Sequence, residues 1–389
     1  MKVAIEGCLH GELDAVYSAL GRLGGAVDLL LCCGDFQSLR NDADLDAMAV
    51  PQKYRALGCF WEYYCGRKRA PVLTIFIGGN HEASNYLLEL FHGGWVCENI
   101  YFLGFAGVVN VGGLRIGGLS GIYDHKHYYL PHYERPPFSE DTKRSVYHVR
   151  EVDVVRLSQL SSKLDVFLSH DWPTDIAFYG ETERLLQRKA FLRREVHDHS
   201  LGSPAAAQLL ATLKPKYWFA AHLHVKFPAI VTHTTTNSGT STSSTSQSDP
   251  STQQPQQEKA AADITRFLAL DKCLPRRDYL QLLDFPDHVF DGTIQHDLEW
   301  LAIVQKTAFL LEGGDGRRRQ PSAIDQSDPS LFVPTPAHIE YLRETLPSLE
   351  IPAANFVATA VGYPDWNRQA HSAPTCTKII TNNCCVYLY

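Results

Sequence analysis

Five times within the first 232 residues, a short apolar run ends in a tight loop carrying Asp, Asn, His or Cys. Val3 to Ile5 runs into Gly7-Cys8-Leu9-His10-Gly11, and Leu29 to Cys33 into Gly34-Asp35. Val72 to Ile77 leads to Gly78-Gly79-Asn80-His81-Glu82, Val166 to Leu168 to Ser169-His170-Asp171, and Tyr217 to Ala220 to His222-Leu223-His224. Such runs read as buried strands, and the residues just past them fall where strand ends present a site. Glu12 to Leu23 and Ala205 to Leu213 have helical apolar spacing, and Ser84 to Phe91 reads as a helix capped by Ser84. Val108 to Val111 and Leu114 to Gly118, joined by Gly112-Gly113, read as a hairpin. The predicted fold class is α/β (α+β): a β-sandwich of mixed sheets flanked by helices.

Residues 1–232 form the predicted catalytic unit. Residues 233–262 form a Ser/Thr/Gln-rich insert too poor in apolar area to offset the entropy of ordering it. Residues 263–365, with helices at Leu298 to Ile303 and Ala337 to Leu346, read as a smaller C-terminal domain docked on the first, and 366–389 as an irregular tail. No stretch approaches the 18 or so apolar residues of a bilayer span, and Met1 to Glu6 enters a polar motif rather than a signal-peptide core, so no membrane association is expected. Ten cysteines in 389 residues are too dilute for a disulfide framework. A net charge of -7 argues against binding nucleic acid through a global field, so a phosphate polymer would have to be attracted locally.

Cys8, His10, Asp35, Asn80, His170, His222 and His224 are metal-ligand types, and two CxH-like pairs place their side chains on one side of an extended strand end. Two divalent ions about 3.5–4 Å apart need a bridging carboxylate. Asp35 fits that role, with His10, His224 and Cys8 around one ion and Asn80, His170 and His222 around the other. Water shared by the ions would be the nucleophile. His81, next to Asn80, could protonate a leaving oxygen or serve a structural purpose. Cys8 is a soft ligand favouring zinc or iron, or a buried thiol that makes room for substrate.

The set Cys8-Leu9-His10, Gly34-Asp35, Gly79-Asn80-His81-Glu82, His170 and Ala221-His222-Leu223-His224 resembles the calcineurin-like metallophosphoesterase superfamily, with Cys8 where most members have Asp and Ala221 where they have Gly. With Ser120-Gly121-Ile122-Tyr123, Tyr147-His148-Val149-Arg150, Ser169 to Pro173 and Leu268 to Arg277, it is similar to the RNA lariat debranching enzyme family over about Lys2 to Gln305. The resemblance implies hydrolysis, by metal-bound hydroxide, of the 2'-5' phosphodiester at the branch of an excised intron lariat, giving linear RNA. It also implies Fe2+ and Zn2+ as cofactors with Mn2+ able to substitute, lariat RNA as partner, and a nuclear protein able to shuttle to the cytoplasm. Residues 120–150 are by this resemblance a lariat recognition loop, with Ser120, Gly121, Tyr123, Tyr129, Arg144, Tyr147, His148 and Arg150 as candidate substrate contacts. Splayed bases stack on such aromatic rings. Arg184, Arg188 and Arg193 on one helix face offer either phosphate contacts or a solvated surface. Another dinuclear phosphoesterase, or a non-catalytic module of the same fold, remains the alternative.

Overall fold

The computed structural model describes residues 1–233, 263–311 and 323–363; the Ser/Thr/Gln-rich stretch and the tail lie outside them. Its strands are β1 (Lys2–Glu6), β2 (Leu29–Cys32), β3 (Leu73–Phe76), β4 (Gly94–Cys97), β5 (Ile100–Phe102), β6 (Ala106–Val111), β7 (Leu114–Leu119), β8 (Val166–Ser169), β9 (Tyr217–Ala220), β10 (Phe227–His233), β11 (Asp263–Ala269), β12 (Leu280–Asp284) and β13 (Gln295–His296). Among the described residues they form a six-stranded sheet ordered β12-β1-β2-β3-β5-β4 and a seven-stranded sheet ordered β10-β11-β9-β8-β7-β6-β13. The neighbours β1, β2 and β3 run parallel, as do β7, β8 and β9, so the loops after the five ligand-bearing strands leave from carboxyl ends.

Alternation along the strands divides the core into layers. Val3, Ile5, Leu29, Leu31 and Ile75 of the first sheet meet Val109, Ile116, Val166, Leu168 and Phe219 of the second. On its other face the first sheet buries Ala4, Leu30 and Phe76 against Leu13, Val16 and Leu20 of the helix Leu13–Arg22, whose i, i+3, i+7 spacing supplies one apolar stripe. The second sheet buries Phe167 and Trp218 against Leu157 and Leu209 of the helices Glu151–Ser158 and Pro204–Leu213. The last of these starts where expected, with Ser203 Oγ accepting from Ala206 N at 3.1 Å and Pro204 at the first helical position. This is the expected sandwich with helices on both outer faces.

Three local expectations are corrected. Ser84 lies inside the helix Ser84–Glu89, and the residue before it caps nothing through its side chain. The arginine-bearing segment breaks at Lys189, between the helix Thr182–Arg188 and the short helix Arg193–His197, so Arg184, Arg188 and Arg193 do not share one face. Third, the segment from 263 onward does not pack as a separate body. Its strand β11 pairs with both β9 and β10, β12 extends the first sheet beside β1, and β13 extends the second beside β6. Short strands complete sheet edges by backbone hydrogen bonds that a composition reading does not reveal.

The helix Leu298–Lys306 is fastened by a buried ionic group. Arg115 of β7 reaches Asp297 at 2.7 Å and Glu299 at 2.8 Å, and Asp297 also caps that helix by accepting from Trp300 N at 2.9 Å. Burial pushes both carboxyls up. For Asp297 the Arg115 guanidinium outweighs it, for Glu299 the Ser161 hydroxyl and amide together with Arg115, so both sit below their ordinary values. A depressed folded pKa stabilises above the unfolded pKa, near pH 4, and that contribution disappears as pH falls through the folded values. Asp297→Asn is therefore expected to lose about 3 kcal/mol at pH 7 in denaturant titrations, because a buried guanidinium keeps only Glu299 of its two carboxylate partners, and the gap to wild type should narrow by pH 3.

Candidate metal centre

The five loops converge on Asp35. This carboxylate, 1% exposed, has His170 Nε2 at 3.4 Å from Oδ1 and His81 Nδ1 and His10 Nε2 at 3.5 Å and 3.6 Å from Oδ2. His81 N donates to Asp35 Oδ1 at 2.8 Å. His10 Nε2 and His224 Nε2 stand 3.1 Å apart, and donor atoms of Cys8, His10, Asp35 and His224 all lie within 4.8 Å of one another. Opposite them, His170 Nε2 lies 3.2 Å from Asn80 Oδ1, and the His222 ring packs 5.1 Å from the His170 ring. His170 Nδ1 contacts the Cys33 carbonyl at 2.7 Å, which fixes the ring and turns Nε2 toward Asp35.

The backbone is bent to achieve this. His10, Asp35, His222 and His224 have φ of 49°, 51°, 60° and 49°, a left-handed conformation that residues bearing a Cβ adopt at a cost of order 1 kcal/mol. The paired ligands thus sit in turns, not on the extended strand end predicted from their spacing. The turn at His222 and His224 brings the first imidazole beside His170 and the second beside His10. Gly79 allows the closest approach: a Cβ there would stand 2.3 Å from Asp35 Oδ1 and 2.7 Å from His170 Cε1.

The electrostatics match the donor chemistry. Burial pushes the Asp35 carboxyl up, but His170, His81 and His10 outweigh it and hold it well below the carboxylate range. Burial brings His170 down to about 4 and His224, next to His10, to about 3, and it lowers His10 too. Burial, then Asp35 and Glu6, push the Cys8 thiol well up, and its Sγ accepts from His222 N at 3.1 Å. Neutral imidazoles at His10, His170 and His224 around an ionised carboxylate, with an amide oxygen alongside, fit divalent cations, whereas the Cys8 thiol would have to give up its proton to join them.

Glu82 had no assigned role in the sequence beyond completing its motif. Its carboxylate accepts from Phe36 N and Gln37 N at 2.8 Å and from Gly79 N at 2.9 Å, and so laces the Asp35 loop to the Asn80 loop. Burial beside Asp35 pushes it up to about 8, against three amides that favour the anion. Glu82→Ala would leave three N–H groups unpaired, those of Phe36 and Gly79 buried and that of Gln37 partly so, at about 1–3 kcal/mol each. A stability loss of at least about 3 kcal/mol in denaturant titrations is expected, with only part of it recovered in Glu82→Gln, whose single oxygen can accept from Phe36 N and Gly79 N while its NH2 faces Gln37 N.

The expected substrate contacts divide. Tyr129 is 44% exposed, Tyr123 and Tyr147 are partly so, and Arg144 is exposed. Arg150 cannot reach RNA: it is fully buried, pairs with Glu134 at 2.5 Å and donates to the carbonyls of His127 and Ser145. Ser120 is also a brace, with Oγ donating to Gly104 O at 2.6 Å and accepting from Gly78 N at 2.9 Å. Gly121, at φ 89°, donates to Gly78 O, and a Cβ on it would stand 1.9 Å from Tyr147 O. Both residues therefore hold the Asn80 loop instead of touching substrate through side chains. His148 is buried, with Nδ1 2.9 Å from His127 Nδ1. Tyr128 and His132 also turn inward, to the core and to Asp153.

A sandwich with a carboxylate-centred histidine cluster at its strand ends defines a calcineurin-like phosphoesterase, and the family model of that description matches residues 1–226. A second model, for the C-terminal domain of lariat debranching enzymes, matches residues 262–388. The chain belongs to the lariat debranching enzyme family. It is 52% identical over 310 residues to the lariat debranching enzyme of Arabidopsis thaliana, covering 79% of this chain and 68% of the relative. To that of Drosophila pseudoobscura pseudoobscura it is 49% identical over 383 residues, covering 93% and 71%, and to that of Homo sapiens 52% over 316 residues, covering 80% and 54%. The chain thus spans little more than half the length of the human relative.

Proposed function

We propose that this chain hydrolyses the 2'-5' phosphodiester at the branch of excised intron lariat RNA. The observation that carries the reading is the Asp35 carboxylate ringed by His10, His81 and His170 at 3.4–3.6 Å, in a chain of this family. Asp35, His10, His224 and Cys8 would hold one divalent cation, and Asp35, Asn80, His170 and His222 the other. Iron and zinc suit the imidazole-thiol set, and manganese is a workable substitute. Such ions supply Lewis-acid charge at a phosphate and an acidified water.

The chain's own residues do the remaining work. Asp35 keeps its charge, and the backbone bends at His10, His222 and His224 keep the imidazoles on target before substrate arrives. His81, its side chain 34% exposed, is held by its backbone bond to Asp35 and has room to meet substrate, so it donates the proton to the departing 2'-oxygen. The phosphate then remains on the 5' end of the intron. Tyr123, Tyr129 and Tyr147 offer faces for unstacked bases, each stack contributing about 1–3 kcal/mol. On the same reading the protein resides in the nucleus, where its substrate is made.

Incubating the full chain with manganese and a synthetic branched RNA, a linear 3'-5' RNA or a phosphoserine peptide tests the proposal. Cleavage of the branch alone is expected. Equal cleavage of the peptide would point to another dinuclear phosphoesterase, and no cleavage in metal-loaded protein to a binding module.

A further inference from the structure

We infer that Asp124, His127 and His148 form a further cation site, one that takes a borderline-soft divalent ion such as zinc and staples the start of the 120–150 segment to its end. The inference does not depend on the substrate proposed above. Donor atoms from the three residues lie within 4.8 Å of one another. His127 Nδ1 is 3.0 Å from Asp124 Oδ1 and 2.9 Å from His148 Nδ1. The shared nitrogen carries at most one hydrogen. Donated to Asp124, it leaves the His148 nitrogen without a full partner. Supplied by His148 instead, it leaves a His127 lone pair facing the carboxylate.

A cation among the three donors removes that conflict. Zinc bonds of about 2.0–2.2 Å in a tetrahedron set donors about 3.4 Å apart, so the His127–Asp124 and His127–His148 pairs need to open by only a few tenths of an ångström, while Asp124 and His148 already lie within 4.8 Å of each other. Two imidazoles and a carboxylate are a set that zinc accepts readily and magnesium does not. The backbone is already arranged for it. Asp124 Oδ1 accepts from Lys126 N at 2.9 Å, His127 N donates to Asp124 O at 3.2 Å, and Val149 N donates to Ile122 O at 2.9 Å beside a bridge between Ile122 and His148. Arg150 Nη1 holds the His127 carbonyl at 2.8 Å. His148 is 8% exposed, whereas the Asp124 and His127 side chains are 30% and 25% exposed, so a water can complete the coordination.

The test is a zinc titration of chelator-stripped full-length protein against a chromophoric chelator. In an Asp35→Asn background, which disables the other cluster, one tight equivalent of zinc should remain and should vanish when His127→Gln is added. Asp124→Asn, on a partly exposed side chain, should weaken it at least tenfold. Zinc binding unchanged by both substitutions would overturn the inference, as would the absence of a tight equivalent in the Asp35→Asn protein when thermal unfolding shows it to be folded.

Discussion

Asp35→Asn is expected to empty the metal centre and abolish branch cleavage. Asparagine keeps the shape and can still accept from His81 N, so the fold should survive. It removes the negative charge around which His10, His81 and His170 gather, and two cations brought close together need that charge between them. Partners that merely orient a ligand are worth about 10- to 100-fold in metal affinity, so the shared carboxylate should exceed that range. Elemental analysis after equilibration with manganese, alongside single-turnover cleavage, reads both effects. Wild-type metal content in Asp35→Asn would remove it from the centre.

His81→Gln should separate binding from chemistry. The backbone bond from residue 81 to Asp35 is retained in this variant, so metal content and RNA affinity should stay near wild type. The rate of the chemical step should fall by about 10²–10⁴-fold, the usual contribution of a positioned general acid. A loss confined to affinity, with an unchanged single-turnover rate, would make His81 a structural residue.

How much of this was readable in advance depended on the range of the interaction. The five ligand loops are local patterns, each an apolar run followed by a small set of donors, and the fold brings all of them to one point. Burial from a distant partner is not local. Arg150 reads as a free cation in the sequence, but Glu134, 16 residues away, claims it. Ser120 and Gly121 carry a family motif, yet Ser120 through its hydroxyl and Gly121 through its amide brace the backbone of Gly78, a distant partner that no local pattern reveals. The left-handed bends at His10 and His224 are invisible because neither residue favours them; tertiary packing imposes them. The sheet-edge strands β12 and β13 escaped for a related reason, since their partners β1 and β6 lie far away in sequence.

Anomalous X-ray scattering from crystals of the full chain grown with manganese tests the central claim most directly. The account predicts two peaks flanking the Asp35 carboxylate, one within bonding reach of His10 and His224 and the other of Asn80, His170 and His222. Data of good quality without a peak beside Asp35, in protein that cleaves branched RNA, would contradict it.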